Sequence, residues 1–225
     1  MQYLKINLKK IRKDEIDLAV DYLNKGKIIV YPTDTVYGLG CLANNQKAVN
    51  KIVKMKKRKD KNGLIILVKS YCMLHDYAYV NSKQDKYIRS IWPPTTRAAH
   101  DNKHKYNKKP TTFILKAKKK LAKGVAGNNN SQALRLPRPI LNKFNIRRGL
   151  PKNDFLTTML SVVNKPIVST SLNVTNNKPL IEVKQIEKYF KKNKPDLVIE
   201  AGKIKATPSK IIDIRDVTNI KIIRK

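Results

Sequence analysis

Cysteine is almost absent from this chain. Only Cys41 and Cys72 occur in 225 residues, far apart, which excludes a disulfide scaffold and leads us to expect a reduced, cytoplasmic protein. Histidine is scarce too, with His75, His100 and His104 the three present. His100 and His104 have helical i, i+4 spacing, but Lys and Asn surround them and no Cys or Glu completes a ligand set, so no metal site is expected. Glycine occurs eight times, never as Gly-x-Gly-x-x-Gly and never as a Gly-Lys-Ser/Thr loop, which removes two familiar nucleotide signatures. No uncharged apolar window approaches the length of a membrane-spanning helix, and the start MQYLKINLKKIRKDE lacks the apolar core of a secretory signal. Acidic residues are few, 16 against 49 Lys and Arg, so the formal net charge is +33.

Hydrophobic residues make up 41% and charged residues 29%, a globular composition in a chain long enough to bury a core. Lysine supplies most of the positive charge and spreads through almost every segment rather than forming one tract. A dedicated RNA surface and a plain lysine-rich bias both account for that spread. Either way the protein should attract polyanions with strongly salt-dependent affinity.

Periodicity sets the elements. YLKIN (3–7) predicts a short strand, and a helix follows over 15–25, with Ile16, Ala19, Val20 and Leu23 on its apolar face and Gly26 as its stop. IIVY (28–31) reads as a buried strand leading into a turn-rich stretch, PTDTVYGLG (32–40). Further helices fit 46–56, 83–92, 154–163 and 183–191. Strands fit 64–68, 111–116, 132–137, 166–171, 196–200, 210–214 and 220–224. Alternation of the two types predicts an α/β protein, and the strand-heavy C-terminal part predicts a mixed sheet. Segments 94–109 and 138–153 lack periodicity and read as loops.

The polar residues of interest sit at strand ends, where open α/β sheets bind ligands. Thr33 and Thr35 lie where the chain leaves a buried strand, and Asp34 between them reads as a turn-forming carboxylate rather than a base. Lys56 and Arg58 belong to a charged run that feeds straight into the sheet, so at least one of them can point across a strand end at a phosphate. Ser169, Ser171 and Asn173 alternate, which puts them on one face of an extended chain. Arg135, between Leu134 and Leu136, is a lone charge in a strand-like pattern, where arginine normally meets a carboxylate or phosphate. Cys41 reads as a small buried hydrophobe rather than a nucleophile.

Taken in order, PTDTVYGLG, the Lys56-x-Arg58 run ending at Leu64, Trp92-Pro93, ALRLP, STSLN and TPSKIID resemble the YrdC-like proteins, the L-threonylcarbamoyladenylate synthases, over residues 10–224. The resemblance implies a single YrdC-like α/β domain over 1–225, a twisted mixed sheet flanked by helices with a basic central groove. It implies synthesis of threonylcarbamoyl-AMP and pyrophosphate from L-threonine, bicarbonate and ATP, with Mg²⁺ held mainly by the ATP phosphates. A threonylcarbamoyl transferase would then carry the group to tRNA beside the anticodon. An RNA-binding protein of the same fold, taking tRNA or double-stranded RNA without efficient adenylate synthesis, is the alternative.

Residue by residue, the resemblance gives Thr35, Arg135, Ser169 and Ser209 to threonine. It gives Lys56, Arg58, Asn62, Ser131, Ser171, Asn173 and Arg224 to ATP, with Lys56 and Arg58 as the catalytic cations. The sequence departs from the family pattern at 94–109, a basic insertion after Trp92-Pro93, and at Leu67, where some members have a substrate-contacting histidine.

Overall fold

The computed structural model describes residues 1–58, 62–92, 109–119, 121–137, 154–175, 177–190 and 193–225. The basic insertion therefore lies outside the described residues except for Lys109, and so does the whole of the 138–153 segment.

In chain order the elements are β1 (Gln2–Lys5), α1 (Lys13–Asn24), β2 (Ile29–Tyr31), β3 (Gly38–Leu42), α2 (Gln46–Met55), β4 (Ile65–Leu67), α3 (Tyr71–Tyr77), β5 (Ala78–Tyr79) and α4 (Ser82–Ile91). They continue as β6 (Thr111–Ala117), β7 (Ser131–Arg135), α5 (Phe155–Val163), β8 (Ile167–Ser171), α6 (Ile186–Tyr189), β9 (Leu197–Glu200), β10 (Lys210–Asp213) and β11 (Lys221–Arg224). The strands form one mixed sheet in the order β1-β9-β2-β3-β8-β4-β7-β6-β10-β11, with β5 paired to β6. Three elements were not expected. Strand β3 occupies the end of the glycine-bearing turn, and α3 and β5 fill the stretch between two predicted elements. The helix expected over 183–191 is a 3-10 turn at Val183–Gln185 followed by the short α6.

Local chemistry explains the boundaries. Asn45 caps α2 by accepting the Ala48 N–H at 3.0 Å, and Asp154 caps α5 by accepting the Thr157 N–H at 3.0 Å. Asn164, at φ 49°, closes α5 in the left-handed conformation that asparagine tolerates.

Strand alternation sorts the core into two layers. Val30, Leu39, Cys41, Ile66, Leu134, Val168 and Val198 face one way and pack with α2, α3 and α4. Ile29, Tyr31, Leu67, Ile167 and Ile199 face the other way and pack under α1 and α5. On that second face the two helices cover β9, β2 and their neighbours. The half of the sheet running from β8 through β4, β7, β6 and β10 to β11 carries the cavity described next. Trp92 ends α4 by packing its ring 4.7 Å from Phe113, and its Nε1–H donates to the Thr111 carbonyl at 3.2 Å. No helix among the described residues is long and apolar enough to cross a membrane.

Candidate functional site

A cavity of about 460 Å³ opens over the half of the sheet that no helix among the described residues covers. Its floor follows from strand register. Leu67 pairs with Arg135 and Ile65 with Ala133 across β4 and β7, and all four line the cavity. Their neighbours Gln132, Ile66 and Leu134 point into the opposite layer, where they are buried. Ser169 and Ser171 of β8, Ile114 of β6, and Ile211 and Asp213 of β10 extend the same floor. Thr33, Thr35 and Val36 form the rim contributed by the turn before β3.

Arg135 organises one end. It is 6% exposed, and its Nη1 donates to Thr35 Oγ1 at 2.9 Å while Nη2 donates to Asp34 Oδ1. The Thr33 hydroxyl donates to the Val36 carbonyl at 2.6 Å, which spends its one proton. In the Thr33–Thr35 contact of 2.9 Å the donor must therefore be Thr35. The result is a directed chain from guanidinium to Thr35 to Thr33 to backbone carbonyl. Asp34 is thus more than a turn former, because its carboxylate holds the buried arginine in place. The Arg135 Nε–H is buried without a hydrogen-bond partner.

Two further arginines, Arg224 and Arg215, close the far side. Arg224 donates from Nε to the Ser209 carbonyl at 2.8 Å and from Nη2 to Ser209 Oγ at 3.2 Å, and Thr112 Oγ1 lies 2.8 Å from the same hydroxyl. Burial, and then the charge of Arg135, lower the Arg224 pKa, so an anion placed between these guanidiniums would be favoured. Asp213 is held by Arg215 through contacts of 3.0 and 2.7 Å. Burial raises the Asp213 pKa, but the Arg215 hydrogen bonds outweigh it and keep the carboxyl ionised.

Nine of the eleven expected residues line this one cavity: Thr35, Arg58, Asn62, Ser131, Arg135, Ser169, Ser171, Ser209 and Arg224. Lys56 and Asn173 do not. Lys56 is only 4% exposed and turns its ammonium inward, donating to the Ser171 carbonyl at 2.7 Å and to Asn173 Oδ1 at 2.6 Å. The Lys56 carbonyl also accepts the Thr175 N–H at 2.9 Å. Lys56 therefore clamps the loop after β8 from behind, and of the two cations in the charged run it is Arg58 that reaches the cavity. Asn173 Oδ1 also accepts the Ser171 hydroxyl at 2.7 Å, which fixes that side chain. Desolvation, then the charge of Arg58, push the Lys56 pKa down to about 7.

Sequence reading passed over Asp213 and Arg215. Alternation of Ile211, Asp213 and Arg215 along β10 and just beyond it was the available signal. Cys41 is buried as expected, and burial pushes its thiol up to about 12.

Comparisons with known proteins point one way. The family model for Sua5, YciO and YrdC, described as telomere recombination, matches residues 21–225. A Blochmanniella floridana protein named threonylcarbamoyl-AMP synthase is 34% identical over 208 residues, spanning 91% of this chain and 93% of that one. A Buchnera aphidicola protein of the same name is 31% identical over 205 residues, spanning 90% and 98%. Among solved structures, E. coli YciO superposes with a TM-score of 0.76 at 22% identity, covering 100% of this chain and 94% of that one. P. abyssi Sua5 complexed with L-threonine gives 0.73 at 21% identity, covering 95% of this chain but 54% of the longer Sua5 chain. At such identities the structural likeness establishes the fold alone.

Proposed function

Because the chain belongs to the Sua5, YciO and YrdC family, we propose that it is an L-threonylcarbamoyladenylate synthase, a nucleotidyltransferase acting in tRNA modification. The observation that carries this reading is one cavity in which a buried, hydrogen-bonded arginine and a threonine turn share a floor with a serine-rich strand and further arginines. Arg135, Thr35, Ser169 and Ser209 take L-threonine, with its carboxylate on the guanidinium. Arg58, Asn62, Ser131, Ser171 and Arg224 take ATP, while Lys56 and Asn173 act on the nucleotide by holding Ser171.

In this reading the threonine amine attacks the carbon of bicarbonate, and loss of water leaves a carbamate. A carbamate oxygen then attacks the α-phosphorus, and pyrophosphate departs with the bonding electrons. Positioning and charge stabilisation carry such a step. Arg58 and Arg224 neutralise charge that builds on the phosphates, and Ile65, Leu67 and Ile114 give the mixed anhydride an apolar floor. Among the described residues no group of three carboxylate, Cys or His side chains is assembled to hold a metal, and Asp34 and Asp213 are engaged by arginines. In this reading Mg²⁺ enters as part of the MgATP substrate.

Residues 1–225 form one such domain in this reading, with 94–109 as a basic insertion, and the product passes to a transferase acting on tRNA. The test is direct. Purified protein with MgATP, threonine and bicarbonate should release pyrophosphate in step with threonylcarbamoyl-AMP, and omission of threonine should abolish both. ATP binding with no threonine-dependent pyrophosphate would overturn the reading.

A further inference from the structure

Tyr31 is fully buried at the end of β2; among the described residues its hydroxyl makes no hydrogen bond of good geometry, and Ser169 is the side chain near enough to engage it. A buried phenol ordinarily finds a partner. What surrounds this one is specific. Tyr31 pairs with Gly38 in the β2–β3 register, and Gly40 pairs with Ser169 in the β3–β8 register. The Tyr31 ring crosses β3 along this glycine lane. A Cβ at Gly40 would sit 2.9 Å from both Tyr31 Cε1 and Oη, and one at Gly38 would sit 3.1 Å from Cζ and 3.2 Å from Ser169 Oγ. Two small residues thus carve the slot that delivers a hydroxyl to the back of Ser169, whose front lines the cavity.

The hydroxyl also lies within electrostatic reach of Arg135 and Asp34. Burial holds it well above the usual phenol range, although hydrogen bonding toward Ser169 and then the charge of Arg135 pull the other way, so Tyr31 stays a neutral donor. Another buried donor, Arg135 Nε, has no hydrogen-bond partner and belongs to the same end of the cavity. One donor without a partner and one poorly aligned with Ser169, both under one pocket, are what an enclosed anionic ligand would satisfy, the first directly and the second through the Ser169 hydroxyl.

We propose that Tyr31 is a positioning residue of the amino-acid pocket: its O–H donates to Ser169 Oγ when substrate is bound, freeing the Ser169 proton to point at the substrate. The inference rests on the reading of that pocket as the threonine site, and one experiment separates the two. Threonine and ATP binding are titrated calorimetrically for wild type, Tyr31→Phe, Ser169→Ala and the double variant, with thermal unfolding recorded for each.

Tyr31→Phe keeps the ring in its slot, so stability should be equal or higher. Threonine should bind roughly five- to tenfold more weakly, as expected for one lost hydrogen bond, with ATP affinity unchanged. The double variant should lose little more than Ser169→Ala alone, because the two hydroxyls act in series. Wild-type threonine binding with equal binding by Tyr31→Phe would overturn this inference and leave the functional reading standing. Parallel loss of stability and of both ligands would make the hydroxyl structural and overturn it as well. No threonine binding by wild type would overturn the functional reading itself, and this inference with it.

Discussion

Replacing Lys56 by methionine should change how stability depends on pH. In the folded protein desolvation, and then the neighbouring Arg58, bring the ammonium down to about 7, whereas an unfolded chain holds that proton to about 10.4. Between those values the unfolded state binds one more proton than the native state, so stability rises with pH through the window and levels off below about 7. The full interval is worth on the order of 4 kcal/mol. Neutral lysine keeps two N–H donors, so the bonds to the Ser171 carbonyl and Asn173 Oδ1 survive deprotonation.

Lys56→Met removes both the titration and the two bonds. Urea unfolding of both proteins across about pH 6.5 to about 9.5 isolates the effect, since all other titrating groups cancel in the difference. Wild type should gain on the variant steadily as pH rises, by at least about 2 kcal/mol over the series. At the acid end the deficit of Lys56→Met should shrink or reverse. Two parallel stability profiles would refute a buried, proton-releasing Lys56.

Thr35→Val removes the acceptor that Arg135 Nη1 uses and the donor to Thr33. It should cost about 1–3 kcal/mol of stability and abolish measurable threonine binding while sparing ATP, both read by calorimetry. Gly40→Ala places a Cβ 2.4 Å from the Val168 carbonyl, so β3 and β8 must part and thermal unfolding should shift by the equivalent of about 1–3 kcal/mol. Of the two thiols, exposed Cys72 should alkylate in the native protein while Cys41, buried and at about 12, reacts only after denaturation. Mass spectrometry of the labelled protein counts the adducts.

Much of this architecture is legible in the chain because apolar runs such as IIVY and LIILV leave few alternatives to buried strands. Strand β3 escaped because Gly38 and Gly40 read as turn residues, although their absent side chains are what lets the Tyr31 ring lie across them. The cavity residues were found where a motif marked them. They were missed where the signal was only alternation, as for Asp213, because knowing which half of a sheet face its helices cover requires the tertiary structure. Lys56 shows the same limit. A lysine in a basic run looks solvated, and only the loop carried by β8, 115 residues away, buries it.

The scattered origin of the cavity has a kinetic side. Arg135 meets Thr35 across 100 residues, and Ser209 meets Thr112 across 97, so ring closure entropy must be spent before either contact exists. Folding of such a chain is governed by distant pairings and is slow for its size. A fragment that lacks either partner of these pairs lacks that part of the site. A ligand in this cavity is therefore selective for the complete fold, and at a hundredfold excess over its dissociation constant it adds about 2.7 kcal/mol to global stability. Substrate supply would then set not only turnover but the lifetime of the protein against proteolysis, with a starved chain opening and being degraded sooner than a fed one.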